Sequence, residues 1–449
     1  MDIRDLLYRR RENEIILLNR ETGKWYVGKD EERIVEKLIN TAGGSVDFEK
    51  NLVKKLIQEN ILITNSENVS IEQPDSELLS LLILDTTNKC NLACKYCFVS
   101  ATEEGIFMPI DTAINALKLA LNHPQCAQTL TIEFSGGEPM LNFDLIEKFV
   151  PIAEKMAEDR GKNLTFTIQT NGTMLNKKNM DYLLQHRFNV GISIDGMEEI
   201  HDKNRVFANG NGSLGVIRKN IRRFMELGGN VSILAVISSV EQYDSILQFA
   251  LENGIKDIRT NLVTQIGRAM GKEEFAIEYK KLADKFVEVS KRILRGELKI
   301  NDATLTFYLW NLLMLQPHMC FRSPCGAAKN QISVTAFGEV YPCQSWRNVK
   351  DIPMGNVNEE NNLENMISKS KRAKELRERN VRDIEPCKKC EWKMFCGVCP
   401  REVYSCKGNI YDKIPQCIFQ NNVFEALIWE FGKNQEGIRK YLIGEYDEN

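Results

Sequence analysis

Residues 81–98 read LLILDTTNKCNLACKYCF, an apolar run that ends in three cysteines, Cys90, Cys94 and Cys97, spaced CxxxCxxC. The run has the length and composition of a buried strand, and the cysteines fall in the loop that follows it. Loops at the carboxyl ends of parallel strands are where α/β folds place their chemistry. A 4Fe–4S cluster usually takes four thiolates. Three closely spaced cysteines would therefore leave one iron open to a small ligand. A three-cysteine zinc site completed by a distant histidine shares this local spacing.

The same alternation continues downstream. Strand-like runs TLTIEFS (129–135), LTFTIQT (164–170), VGISID (190–195), VSILAVI (231–237) and IRTNLV (258–263) are separated by helical patterns such as DTAINALKLAL (111–121) and residues 273–294. Six βα units in a row predict a parallel sheet with helices outside. Eight would close a barrel, and six predict a partial, open (β/α)6 barrel over residues 78–300. Residues 1–75 read as a separate small unit. Strand-like EIILLN (14–19) and KWYVG (24–28) flank a turn, helical patterns cover roughly 30–41 and 47–59, and a polar linker spans 65–77. Past residue 300 the alternation stops. A cysteine-rich unit over 301–420 and a C-terminal helix over 421–449 complete the expected architecture.

Each later strand also ends in a polar or glycine-containing turn. Ser135-Gly136-Gly137-Glu138-Pro139, Thr170-Asn171-Gly172 and Ser193-Ile194-Asp195-Gly196 follow in order, then Arg205, while Val236 and Ile237 end the fifth strand. The aromatic Tyr96 stands just before the third cysteine. With CxxxCxxC, these segments resemble the radical S-adenosylmethionine (SAM) superfamily. That resemblance implies that the open iron chelates SAM. One electron would then yield a 5′-deoxyadenosyl radical that abstracts a hydrogen atom. It further implies that Gly136, Gly137, Glu138 and Pro139 lie at the SAM amino group and Asn171 and Ser193 near ribose or carboxylate. Arg205 would lie near the carboxylate, and Val236 and Ile237 beside adenine, with Tyr96 and Asp195 in the same cofactor site.

The chain has 13 cysteines, an odd number that favours metal ligation over a disulfide scaffold. Nine lie between Cys320 and Cys417. Two CxxC pairs alone would also suit a zinc ribbon. Their order, with the turn AFGEVYPC before the third, resembles the SPASM extension of radical SAM enzymes, which carries two auxiliary 4Fe–4S clusters. The resemblance implies that Cys320, Cys325, Cys343 and Cys399 hold one cluster, and Cys387, Cys390, Cys396 and Cys417 the other. Three 4Fe–4S clusters are expected in all. The spacing Cys396-Gly397-Val398-Cys399 is one residue shorter than the usual pattern, which makes Cys406 a candidate replacement for Cys399.

Net charge is −3, so no global field gathers nucleic acid or acidic lipid. No apolar run has the length of a membrane span, and the charged start lacks the apolar stretch of a secretory signal. The expected location is the cytoplasm, with neither nucleic acid nor membrane as partner. The front unit resembles the winged-helix-like leader-recognition domain of peptide maturases, which implies a precursor peptide bound as an added strand. A reductant such as flavodoxin or ferredoxin is the other expected partner. Gln344 stands where sulfatase maturases generally carry an aspartate proposed as a base, and glutamine cannot take a proton at neutral pH. The resulting expectation is a peptide maturase installing a thioether crosslink, as in sactipeptides and ranthipeptides. Anaerobic sulfatase maturation to formylglycine is the alternative enzyme reading. A non-catalytic iron–sulfur or zinc protein is the second alternative.

Overall fold

The computed structural model describes residues 6–29, 33, 51–59, 61–62, 78–315, 318–320, 322–347, 349 and 352–445. Strands β1 (Leu6–Arg11), β2 (Glu14–Asn19) and β3 (Trp25–Lys29) form an antiparallel sheet in that order. A helix, Asn51–Gln58, packs on it. The sheet buries both faces. Ile15 and Leu17 join Leu56, Ile61 and Leu62 in a small core. Leu7, Ile16 and Leu18, one residue out of phase, belong to the main core of the molecule. The expected helix over 30–41 and the linker over 65–77 lie outside the described residues.

Strands β4 (Leu79–Thr87), β5 (Cys126–Gly136), β6 (Asn163–Thr170), β7 (Asn189–Ser193), β8 (Val231–Ile237) and β9 (Asp257–Leu262) run parallel, each bonded to the next. They match the six expected runs. Alternation along β4 explains the layering: Leu82 and Leu84 pack into the core, whereas Leu81 and Ile83 face an internal cavity. The helix Ile110–Leu121 buries Ala113, Ala116, Leu117 and Ala120, one stripe at helical spacing. Behind the sheet, Phe134, Phe166 and Phe188 stack with ring centroids 5.4–6.2 Å apart.

Four features depart from the sequence reading. First, β1 precedes the two expected N-terminal strands. Second, the sheet continues past the sixth strand. A two-residue β10 (Asn301–Asp302) extends the β9 edge. On the other edge β11 (Gln331–Val334) pairs parallel with β4, followed by antiparallel β12 (Glu339–Tyr341) and β13 (Gly355–Asn356). The cysteine-rich unit thus covers an edge of β4 that would otherwise present unpaired backbone groups. Third, the helix expected from 273 begins at Tyr279. Residues Glu273–Phe275 form a separate 3-10 turn that buries Phe275 edge-on to Tyr96. Fourth, the last long helix begins at Cys417 rather than 421, and a short helix, Gln435–Ile443, follows it. Among the described residues no helix is long and apolar enough to cross a membrane.

Candidate active site

The loop after β4 is built around backbone contacts that only glycine permits. A Cβ on Gly136 would sit 2.2 Å from the Thr87 carbonyl oxygen, and one on Gly137 2.0 Å from that of Lys89. The two glycines therefore let the β5 loop lie against the cysteine loop, secured by Gly137 N–H donating to Thr87 (2.8 Å) and Glu138 N–H to Lys89 (2.8 Å). On the far side Gly267 fits under the Cys97 carbonyl, where a Cβ would come within 2.4 Å. Arg268 donates to the carbonyls of Cys94 (3.0 Å) and Ala101. Sequence reasoning missed Gly267 and Arg268, because nothing in IGRAM sets this turn apart from any other loop.

Cys90 and Cys94 are buried, and Cys97 is half-buried. The Asn171 side chain donates toward Cys90 Sγ (3.9 Å) and to Asn91 Oδ1 (2.9 Å), and the Leu92 N–H also points at Cys90 Sγ (3.4 Å). Burial, with the Glu138 carboxylate nearby, pushes the Cys90 thiol up to about 12. Burial likewise pushes Cys94 up to about 11. Buried sulfur acceptors with donors already aimed at them, and a strong resistance to carrying charge alone, suit a cationic metal cluster that would stabilise thiolates. Among the described residues no three His, Cys, Asp or Glu side chains close on a single metal ion.

Glu138 is 1% exposed and does not line the cavity. Its carboxylate accepts from Met140 N (3.0 Å), Thr170 Oγ1 (2.6 Å) and Asn171 N (2.7 Å). It staples the β5 loop to the β6 loop, and burial raises it to about 7 against those bonds. Pro139, at the start of a 3-10 turn, is buried as well. Asp195 is also off the cavity wall, fully buried. It accepts from the Tyr96 hydroxyl and pairs with Arg205 Nε at 3.1 Å. The Arg205 guanidinium lies 5.3 Å over the Tyr96 ring. Burial opposes the Arg205 charge, but Asp195 outweighs it and holds the guanidinium protonated.

His201 completes this network. Its Nδ1 accepts from Asp195 N–H (3.3 Å), and its Nε2 faces Ser213 Oγ (3.0 Å). Ser213 donates its one hydroxyl hydrogen to the Arg205 carbonyl (2.7 Å), so it must accept from Nε2–H. The imidazole is therefore neutral and protonated on Nε2, consistent with burial lowering it to about 4.

A cavity of about 550 Å³ opens at these strand ends and reaches into the barrel. Gly136, Gly137, Asn171, Ser193, Val236 and Ile237 line it, as do Tyr96, Arg205 and all three early cysteines. The same cavity is lined by Cys320, Cys325, Cys343, Cys399 and Cys417. Gln344 lines it too and hydrogen-bonds Ser135 Oγ. Next to it Arg347 pairs with buried Asp85, a bridge the sequence did not reveal. Two further carboxyls face the cavity. Burial raises Glu133 to about 7, and Glu402 to about 7.

The late cysteines fall into two neighbourhoods. Cys343 and Cys399 both sense Cys325, and Cys325 and Cys343 sense Cys320. Separately, Cys417 acts on Cys387, Cys390 and Cys396. Between the two, Val398 takes a left-handed φ of 37°. Gly397 is pressed against Arg322, with room for no Cβ. This tight turn sends Cys396 and Cys399 to different neighbourhoods despite their short spacing. Cys406 is exposed, and Cys126 lies at the amino end of β5; no other thiol acts on either.

The profile of the Radical SAM superfamily matches residues 84–267, and that of the SPASM iron–sulfur cluster-binding domain matches residues 325–391. A cysteine-type anaerobic sulfatase-maturating enzyme of Clostridium novyi is 27% identical over 373 residues, 79% of this chain and 95% of that protein. The radical SAM cyclopropyl synthase TigE of Paramaledivibacter caminithermalis is 26% identical over 391 residues, 82% of this chain and 77% of that one. Among solved structures, anSMEcpe with bound AdoMet and the Cp18Cys peptide superposes with a TM-score of 0.69 at 21% identity, over 80% of this chain and 99% of that one. Streptococcus suis SuiB bound to its precursor peptide SuiA gives 0.59 at 17%, over 92% and 98%.

Proposed function

This chain is a radical SAM protein with a C-terminal SPASM iron–sulfur domain, and from that premise we propose that it abstracts a hydrogen atom from one residue of a peptide or protein substrate. The observation that carries the reading is the shared cavity, lined at once by the three early cysteines, the strand-end residues and five late cysteines. In this reading Cys90, Cys94 and Cys97 hold the cluster that binds SAM. Cys320, Cys325, Cys343 and Cys399 hold a first auxiliary cluster, and Cys387, Cys390, Cys396 and Cys417 a second. Bound there, cluster and SAM supply the radical chemistry, driven by a one-electron donor of the flavodoxin or ferredoxin kind. The chain's own residues orient and shield: Asn171 fixes Cys90, the Asp195–Arg205 pair presents Tyr96 and a guanidinium to the cavity, and Glu138 locks the loop beneath.

Two modifications suit such a cavity. Relatives matched over most of their length favour sulfatase maturation, the oxidation of a cysteine or serine to formylglycine. Gln344, unable to act as a base, favours crosslinking of a precursor peptide, as do the N-terminal sheet and the similarity to a cyclopropyl synthase. Mass spectrometry separates them. The anaerobic enzyme is incubated with SAM, a reductant, and either a short cysteine-rich peptide encoded beside its gene or a sulfatase-derived peptide. A crosslink removes two hydrogens. Formylglycine formation from cysteine also exchanges sulfur for oxygen. SAM cleavage that leaves both peptides unmodified counts against the proposal.

A further inference from the structure

Arg379 stands at the crossover between the two late cysteine neighbourhoods. It follows the helix Lys371–Glu378 and is 3% exposed. Its Nε donates to the Ile410 carbonyl (2.6 Å) and its Nη1 to the Gly397 carbonyl (3.0 Å). Gly397 and Val398 are the two residues between Cys396 and Cys399, where the chain passes from one neighbourhood to the other. The guanidinium is thus locked in place by two carbonyls. Its remaining nitrogen, Nη2, is buried and has no hydrogen-bond partner among the described residues. The thiols that act on this guanidinium are Cys325 and Cys399 from one neighbourhood, and Cys387 and Cys396 from the other. Arg401, the other buried arginine here, donates to the Ser345 carbonyl and lies against Cys399 and Cys343, on one side only.

A buried donor left unpaired is costly, and an uncompensated buried charge costs more. Thiols alone provide neither a strong acceptor nor a countercharge. Thiolate-bound clusters of negative net charge provide both, and hydrogen bonds to their sulfurs raise cluster potentials. We propose that Arg379 is a shared positioning residue of the two auxiliary clusters, its Nη2–H directed to their sulfur atoms and its charge raising both of their reduction potentials. The inference rests on the two-cluster reading above.

The test uses full-length protein, reconstituted anaerobically, in a background with Cys90, Cys94 and Cys97 changed to alanine so that auxiliary signals stand alone. Iron, sulfide and electron-paramagnetic-resonance redox titrations are compared for this protein, Arg379→Gln and Arg379→Lys. In Arg379→Gln the ratio of reduced to oxidised form of both clusters at a fixed potential should fall at least tenfold, a downward shift of about 59 mV for a one-electron couple. Arg379→Lys keeps the charge but loses the fork and should shift both in the same direction by less. Should the glutamine variant fail to assemble, the lysine variant alone decides. Parent iron content with unchanged potentials at both clusters, in either variant, overturns the inference. A parent protein holding no auxiliary iron would sink the two-cluster reading itself.

Discussion

Neutral His201 makes the loop after β7 sensitive to acid. Its ordinary value of 6.5 falls to about 4 in the folded chain. Between those values the unfolded chain binds more protons than the folded one. The stabilisation is therefore complete above pH 6.5 and is lost as pH falls through about 4, to a total of about 3 kcal/mol. In His201→Asn the melting temperature should fall less than in wild type between pH 7 and pH 4.5; parallel pH profiles would remove His201 from this role. Arg205 carries the opposite lesson. Arg205→Ala leaves the Asp195 carboxylate buried and unpaired, which should destabilise the fold by about 3–5 kcal/mol. SAM affinity should therefore be read in Arg205→Lys, and a stable Arg205→Ala protein would contradict the pairing. Among the late cysteines, Cys399→Ser should cost about four irons and Cys406→Ser none. The opposite result would restore the replacement that the short spacing suggested. The cysteine groups and strand-end turns stood out in sequence because their residue types recur at short, fixed spacings. The hydrogen bonds of Glu138 and Asp195 and the contacts of Arg268 and Arg347 were not legible, because a tertiary partner leaves no local pattern.

At the scale of elements, the six parallel strands were readable because short β-rich runs recur between helical patterns, with buried residues at alternate positions, as along β8. Strand β11 was not, since four residues, QISV, look like any loop until they find the edge of β4. Strand β1 hid behind its arginines: Arg9 pairs with Glu391 (2.8 Å), and the Arg11 guanidinium lies 4.7 Å over the Trp429 ring. The front unit looked detachable, with its own core and no cysteine. Instead Trp25 donates from Nε1 to the Leu312 carbonyl (2.8 Å) and packs 5.2 Å from the Phe431 ring. Trp25→Ala should cost about 3 kcal/mol and lower the single unfolding transition of the whole protein. A separate early transition confined to the front unit would show that it is an independent domain. Deleting residues 1–75 would strip cover from Trp429 and Phe431. Leader recognition is better tested on the intact enzyme, where free leader peptide should compete with precursor.

For the molecule as a whole, the proposal requires about twelve irons per chain when three four-iron clusters form. The triple alanine variant of Cys90, Cys94 and Cys97 should retain about eight and produce no deoxyadenosine. Four irons in wild type, or a zinc-only protein, would overturn the count. The helix Cys417–Lys433 gives this whole a mechanical character. It is a rod of 17 residues, about 25 Å long. One end begins in the second cysteine neighbourhood; at the other, Gly432 meets Val27 of β3, where a Cβ would come within 2.8 Å. A rigid rod anchored at both ends acts as a lever: a strain applied to the front sheet moves the thiol at its tip. Gly432→Val, which wedges that sheet away from the rod, should alter the resonance line shape of the cluster proposed for Cys417 while iron content stays constant. An unchanged line shape would mean that the two ends are mechanically independent, and that whatever docks at the front of the chain goes unfelt at the cluster proposed for Cys417.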